Sequence, residues 1–404
     1  MTILFILFLI FLLPSFNKEF YKTDDPFFNI FKIKDDIICK SVNGYEFEEA
    51  FFKKIYINEN NIGILHFVND NELVFRIIDI NKSNEKVFNV NIEYFNPKEL
   101  RGNLFLYAFS SEFLVMYVDK KLFVGKISSR IINLKFIMNL EKYIYYLKVF
   151  DNRAYLGTYG IRGDANGYEF NSFLYIVDLN NFSLKNVDLG IPKGFYFTLF
   201  NPPEVFDVSS KYIAHSDIST YNINIFDNDG RFLININRGD TLFREMDLHL
   251  HQKFSNLIMD TTITLKSALD TMRSTFFSGI GIIEKVNFIN DSTLLVRWYG
   301  PKTDTTRWYP DIYYDIWEIR NETPILVAKN ILARVPSDST LKQFRPLYSS
   351  RYECGSNYII SFGSTYCKEK GSKIETLKQY YERQRECSKE NEPILGLTIY
   401  EFVK

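Results

Sequence analysis

Between Arg297 and Trp317 the chain concentrates the side chains best suited to gripping a ligand. Arg297-Trp298-Tyr299-Gly300-Pro301 is echoed by Arg307-Trp308-Tyr309-Pro310, Tyr313, Tyr314 and Trp317 follow, and all three tryptophans of the sequence fall in this stretch. Flat rings alternating with guanidinium groups and carboxylates can stack on sugar faces or aromatic ligands, or clasp a peptide carboxylate. The same residues could instead stabilise a long hairpin by packing across its strands. In the binding reading Trp308 and Tyr309 supply contact area, Arg307 and Asp311 orient the ligand, and Arg162 and Asp164 approach from a second insertion.

Other chemistry is thinner. Asp247-Leu248-His249-Leu250-His251 places two imidazoles two residues apart, which on a strand would share a face and allow metal ligation. No third ligand can be named, and His66 and His215 are the only other histidines. Gly157-Thr158-Tyr159-Gly160-Ile161-Arg162-Gly163 is followed by Asp164-Ala165-Asn166-Gly167, a turn and not the helix a dinucleotide fingerprint needs. Asp164, Asn166 and Glu169 form an incomplete calcium pattern. Arg-Gly-Asp occurs at Arg162 to Asp164 and again at Arg238 to Asp240, where turn chemistry explains it. No G-x-S-x-G elbow is present, and the Ser, His and Asp residues are too scattered to propose a triad. Paired glycosidase carboxylates cannot be chosen from 49 acids without geometry. No cofactor is implied.

The elements that must position these residues are strands. The sequence has 404 residues, 46% of them hydrophobic and 24% charged, with 38 Phe and 27 Tyr, which excludes a disordered chain and favours pleated strands. Forty-eight basic against forty-nine acidic residues leave a net charge of -1, so no broad field for nucleic acid or an anionic membrane exists. A unit recurs: an apolar strand, a polar turn, a second strand, then a third ending near an acid. Its turn and second strand are read at Val68 to Phe75, Phe109 to Val115, Phe150 to Leu156, Val208 to Ala214, Ile289 to Val296 and Glu353 to Ile360. Third strands include Phe173 to Asp178, Tyr221 to Asp227, Tyr314 to Glu318 and Leu397 to Glu401, and a fourth follows Asp227-Asn228-Asp229-Gly230 at Arg231 to Ile234. Four strands repeated six times predict an all-β, six-bladed β-propeller occupying residues 27–404 as one domain.

Ile225-Phe226-Asp227-Asn228-Asp229-Gly230-Arg231-Phe232 resembles the phrase that ends blades in the broad TolB-like group of six-bladed propellers of bacterial exported proteins. That resemblance implies an exported propeller but no particular activity, because the group includes binding modules, scaffolds, hydrolases and lyases. Asn29 to Cys39 offers a strand ahead of blade one, expected to complete blade six and close the ring. Insertions at Gly157 to Ser172, Gly300 to Tyr313, Gly363 to Leu395 and Arg238 to Gly281 all emerge on one face. Short helices are expected in the last of these and over Lys373 to Glu386. Loops on a rigid scaffold commonly bind, so the expectation is a non-catalytic binding or scaffold protein engaging a protein or glycan through that face. The alternative is a hydrolase or lyase in the central channel at the same face.

Ile3 to Leu13 is an apolar run too short to span a bilayer and reads as a signal-peptide core or short anchor within residues 1–16. The mature chain is expected to be exported to the periplasm, cell surface or extracellular space, without a membrane span or a nucleic-acid partner. In an oxidising compartment the four cysteines could pair as Cys367 with Cys387 and Cys39 with Cys354, or remain free and buried.

Overall fold

The computed structural model describes residues 30–39, 55–69, 71–82, 84–101, 105–164, 167–190, 205–239, 241–246, 280–301, 311–332, 352–367, 377–391 and 394–403, with isolated positions between 249 and 271. In chain order the elements are β1 (Phe31–Cys39); β2 (Tyr56–Asn58), β3 (Asn61–Asn69), β4 (Glu72–Asp79) and β5 (Glu85–Ile92); α1 (Pro97–Arg101); and β6 (Phe105–Phe109), β7 (Phe113–Val118), β8 (Lys121–Lys126) and β9 (Ile131–Asn139). Next come β10 (Ile144–Phe150), β11 (Arg153–Asp164), β12 (Gly167–Asp178) and β13 (Leu184–Gly190), then β14 (Phe206–Val208), β15 (Tyr212–Ser216), β16 (Asn222–Asp227) and β17 (Phe232–Asn237). The last are β18 (Ile282–Phe288), β19 (Thr293–Gly300), β20 (Asp311–Arg320), β21 (Thr323–Leu332), β22 (Tyr352–Gly355), β23 (Tyr358–Thr365), α2 (Leu377–Cys387) and β24 (Ile394–Phe402).

Three sheets are consecutive antiparallel quartets, β10 to β13, β14 to β17 and β18 to β21. A fourth has the order β1-β24-β23-β22, so the strand expected to pair with the chain's last unit does so, from Phe31 opposite Phe402 to Cys39 opposite Leu395. The fifth is eight-stranded, β2-β3-β4-β5-β9-β8-β7-β6, with β5 and β9 joined in parallel over Asn89 to Ile92 and Ile131 to Leu134. Strand β2 adjoins β6, β6 adjoins β10, β10 adjoins β14, β14 adjoins β18, β18 adjoins β22, and β22 returns to β2. The fold is therefore all-β and propeller-like, with sheets radiating from a closed inner ring.

Burial follows the radius. Strands β7, β14 and β18 are buried at every position, because sheets cover both of their faces and demand unbroken apolar or paired residues. Outer strands alternate, as in β9, where Ile132 and Leu134 face inward between exposed neighbours. Hairpin turns carry the expected chemistry: Ser356 and Asn357 both have positive φ, as a two-residue turn of the twist-matching kind requires. At the β16–β17 turn Asp227 Oδ1 accepts from the amides of Asp229 and Arg231, and Gly230 has φ +82°. A β-carbon at Gly230 would lie 2.5 Å from Val187, so glycine also allows the neighbouring sheet to approach.

Three expectations need correction. The turn read at Val68 to Phe75 joins β3 to β4, one strand later than its counterparts, because the three-residue β2 carries too little pattern to be read as a strand. The segment Gly157 to Ser172 is not a loop: β11 and β12 stay paired from Arg153 opposite Asp178 to Asp164 opposite Gly167, so the insertion is a two-stranded ribbon running past its sheet. Cys354 is a free buried thiol, not a partner of Cys39. It lies on β22, three strands from β1, and at about 4.8 Å per strand the two backbones stand too far apart for a bridge. Cys367 and Cys387 are bonded as expected, tying α2 back to the end of β23.

Candidate functional site

Arg307, Trp308 and Tyr309 lie outside the described residues, as does most of the Arg238 to Gly281 insertion. Arg162 and Asp164 sit on the β11–β12 ribbon, opposite Glu169 and Gly167, and only their backbones are described. Asp311 is buried at the head of β20, opposite Gly300.

The described strand residues Arg297 to Tyr299 and Tyr313 to Trp317 pack across β19 and β20. Trp298 stands opposite Tyr313 and stacks on it with centroids 4.6 Å apart, whereas Arg297 stands opposite Tyr314 on the other face. The alternation of rings and guanidinium groups that suggested a ligand surface is thus the two-residue period of a strand buried on both sides. On one side Asp315 Oδ2 accepts from Trp298 Nε1 (3.0 Å), Tyr221 OH (2.8 Å) and Arg238 Nη1 (2.8 Å), while its Oδ1 accepts from the Asn330 amide. Trp317 Nε1 donates to Tyr221 OH, and Arg238 lies over the Trp298 ring. Burial pushes the Asp315 carboxyl upward against the pull of Arg238. On the other side Arg297 Nε is 3.0 Å from Glu284. The two-sided burial of β19 and β20 is what the sequence conceals.

One nucleophile-and-base pairing escaped sequence reasoning. Ser172 Oγ is 3.1 Å from His215 Nε2, across from β12 to β15. Both residues are buried, His215 Nδ1 has no partner among the described residues, and burial lowers the imidazole to about 3. A base so depressed and lacking an orienting acid cannot activate a hydroxyl at neutral pH. His66 is lowered to about 4, chiefly by burial and then by Arg76, whose Nε donates to it at 2.6 Å. Among the described residues no group of three or more His, Cys, Asp or Glu side chains is arranged to hold a metal.

The polar groups that do converge lie on the inner ring. Asp207 of β14 accepts from Lys148 Nζ (2.6 Å) and Tyr146 OH (2.7 Å) of β10 on one oxygen, and from the Phe288 amide of β18 (2.6 Å) on the other. Lys285 of β18 donates to the Tyr352 carbonyl of β22 at 2.6 Å and stands 3.9 Å from Glu353. Asn58 of β2 reaches the carbonyls of Phe109 on β6 and Val149 on β10. Around the ring Lys148, Asp207, Lys285 and Glu353 alternate in charge, and each is buried and ion-paired with its neighbour.

Beside this lattice, at the ends of the inner strands, opens a cavity of about 570 Å³. Its walls are the turns β2–β3 (Glu59, Asn60), β14–β15 (Ser209, Lys211), β18–β19 (Asn290, Asp291, Ser292) and β22–β23 (Ser356, Asn357), with Lys148 and Phe150 of β10. These turns stand at the opposite end of the strands from the insertions. Turn chemistry occupies much of the lining: Ser209 Oγ accepts from the Lys211 and Tyr212 amides and reaches the Asp291 carbonyl, and Asn290 Nδ2 donates to Asn357 Oδ1. Asn and Ser in hairpin turns are the visible signal, and each was legible singly; their convergence depends on ring closure.

No family model matches the chain, and no curated protein matches it. Solved structures are similar at low identity. A candidate exported protein from Bacteroides fragilis aligns over 95% of this chain and 98% of that one, at 11% identity and a TM-score of 0.45. A luciferin-regenerating enzyme aligns over 86% and 90%, at 10% identity and 0.37, and the glutaminyl cyclase of Myxococcus xanthus over 74% and 97%, at 9% and 0.29. None of these likenesses carries an inference about activity.

Proposed function

We propose that the chain is a six-bladed propeller of TolB-like type, exported, that serves as a non-catalytic binding module for a protein segment or glycan. The count takes β2 to β5 and β6 to β9 as two blades zipped along their outer edges, and the closed inner ring of β2, β6, β10, β14, β18 and β22 supports it. Export is supported by the apolar run Ile3 to Leu13 and by the Cys367–Cys387 bond, which suits an oxidising compartment.

The paired, buried charges beneath the turn-bearing mouth support the binding reading and move it from the insertion-bearing face, where the sequence reading set it, to the opposite end of the strands. A substrate entering from the turn-bearing mouth meets paired, buried charges whose roles are structural, and the serine hydroxyls and amides above them cap turns. A concave, polar site with few free reactive groups favours recognition over turnover. The test is a peptide and glycan array probed with the protein and with Asp291→Trp, which fills the mouth with an indole. Saturable binding by the native chain, lost in the variant, with ligands recovered chemically unchanged, is the expected result. Ligands recovered cleaved, or binding indifferent to the substitution, would overturn it.

A further inference from the structure

We infer that the turn-bearing mouth takes a short zwitterionic peptide, a ligand class that rests on the binding reading above and sharpens it. Around the inner ring β14 lies three steps from β2 in either direction, so the turns that follow them face each other across the axis. Lys211 stands on one and Glu59 on the other, both exposed, both lining the cavity, and neither with an ion-pair partner among the described residues. Asp291, on the β18–β19 turn, is a second exposed carboxylate without a side-chain partner there.

Lys148 does not compete for this role, since its ammonium is held by Asp207 at 2.6 Å. Among the described residues the pocket thus presents one free cation and, opposite it, a free carboxylate, with Asn60, Asn290, Ser292, Ser356 and Asn357 along the arc through β22. A neutral sugar would leave the opposed charges unused, and a simple anion would meet Glu59 and Asp291. A peptide of two or three residues, about 7 to 11 Å when extended, carries an amine and a carboxylate at separated ends and backbone amides between them. Its volume suits a cavity of small-molecule size.

The experiment is calorimetric titration of the full chain with trialanine, with N-acetyl-trialanine amide and with maltotriose, using native protein, Lys211→Ala and Glu59→Gln. Trialanine should bind and the doubly blocked peptide should bind about tenfold or more weakly. Lys211→Ala should weaken trialanine about fivefold yet leave trialanine amide, which keeps the amine but lacks the carboxylate, unchanged. Glu59→Gln should weaken both of these peptides but leave unchanged an N-acetyl peptide with a free carboxylate. Equal binding of blocked and free peptides, or equal losses in Lys211→Ala for acid and amide, overturns the inference. Binding of maltotriose but not trialanine overturns it while sparing the binding reading, and binding of no probe, or consumption of trialanine, counts against both.

Discussion

Two buried histidines should make this propeller acid-labile in a window set by their ordinary pKa. His215 is held near 3 and His66 near 4, whereas each titrates near 6.5 in the unfolded chain. Both folded values are depressed, so the stabilising difference is complete above pH 6.5 and declines as pH falls toward the folded values, because the unfolded chain binds the protons first. At pH 5 each unfolded imidazole is almost wholly protonated and each folded one almost wholly neutral, which costs about 2 kcal/mol per histidine and about 4 kcal/mol together relative to pH 7.5. That figure barely depends on the folded values as long as they stay well below 5. Urea unfolding at pH 7.5 and 5.0 measures it, and His215→Gln should halve the gap between the two pH values while keeping a polar group near Ser172. If the gap is the same in native protein and variant, His215 is charged or solvated in the folded state and the burial argument fails.

Asp207→Ala removes the acceptor shared by Lys148, Tyr146 and the Phe288 amide, leaves a buried ammonium unpaired, and should cost about 3 to 5 kcal/mol in denaturant unfolding. A loss under about 1 kcal/mol would show the lattice to be incidental. Trp298→Phe keeps the stack on Tyr313 but leaves Asp315 one donor short, and should cost about 1 to 3 kcal/mol. Cys354, buried and with its thiol pushed up, should stay unlabelled by iodoacetamide in native protein at pH 8 and become labelled in denaturant, while peptide mapping finds Cys367 joined to Cys387 until reductant is added.

Strands with turn punctuation were the legible part of this sequence. Phe109-Ser110-Ser111, Val208-Ser209-Ser210 and Ile289-Asn290-Asp291-Ser292 mark hairpins that lie where their residues say, and the extra strand before blade one pairs with β24. Tyr56 to Asn58 escaped notice because three residues show no period. Function was less legible for a physical reason. A strand sandwiched between sheets buries both faces, so the aromatic and charged alternation of Arg297-Trp298-Tyr299 looks like an exposed grip when it is an interior zipper, Trp298 bonded to Asp315 and Arg297 ion-paired with Glu284. The polar lattice of Lys148, Asp207, Lys285 and Glu353 was invisible for a different reason. Its members come from separate repeats, and only ring closure brings them together.

That closure bears on how the chain acquires its structure. Of the described strands β1 is synthesised first and its partner β24 last, so the sheet holding both cannot form until residues near 400 have been made. Joining ends so distant costs little more entropy than joining moderately distant ones, since the penalty grows only with the logarithm of loop length. The delay is kinetic: β1 must wait unpaired, its hydrogen-bonding edge open, while the other sheets assemble.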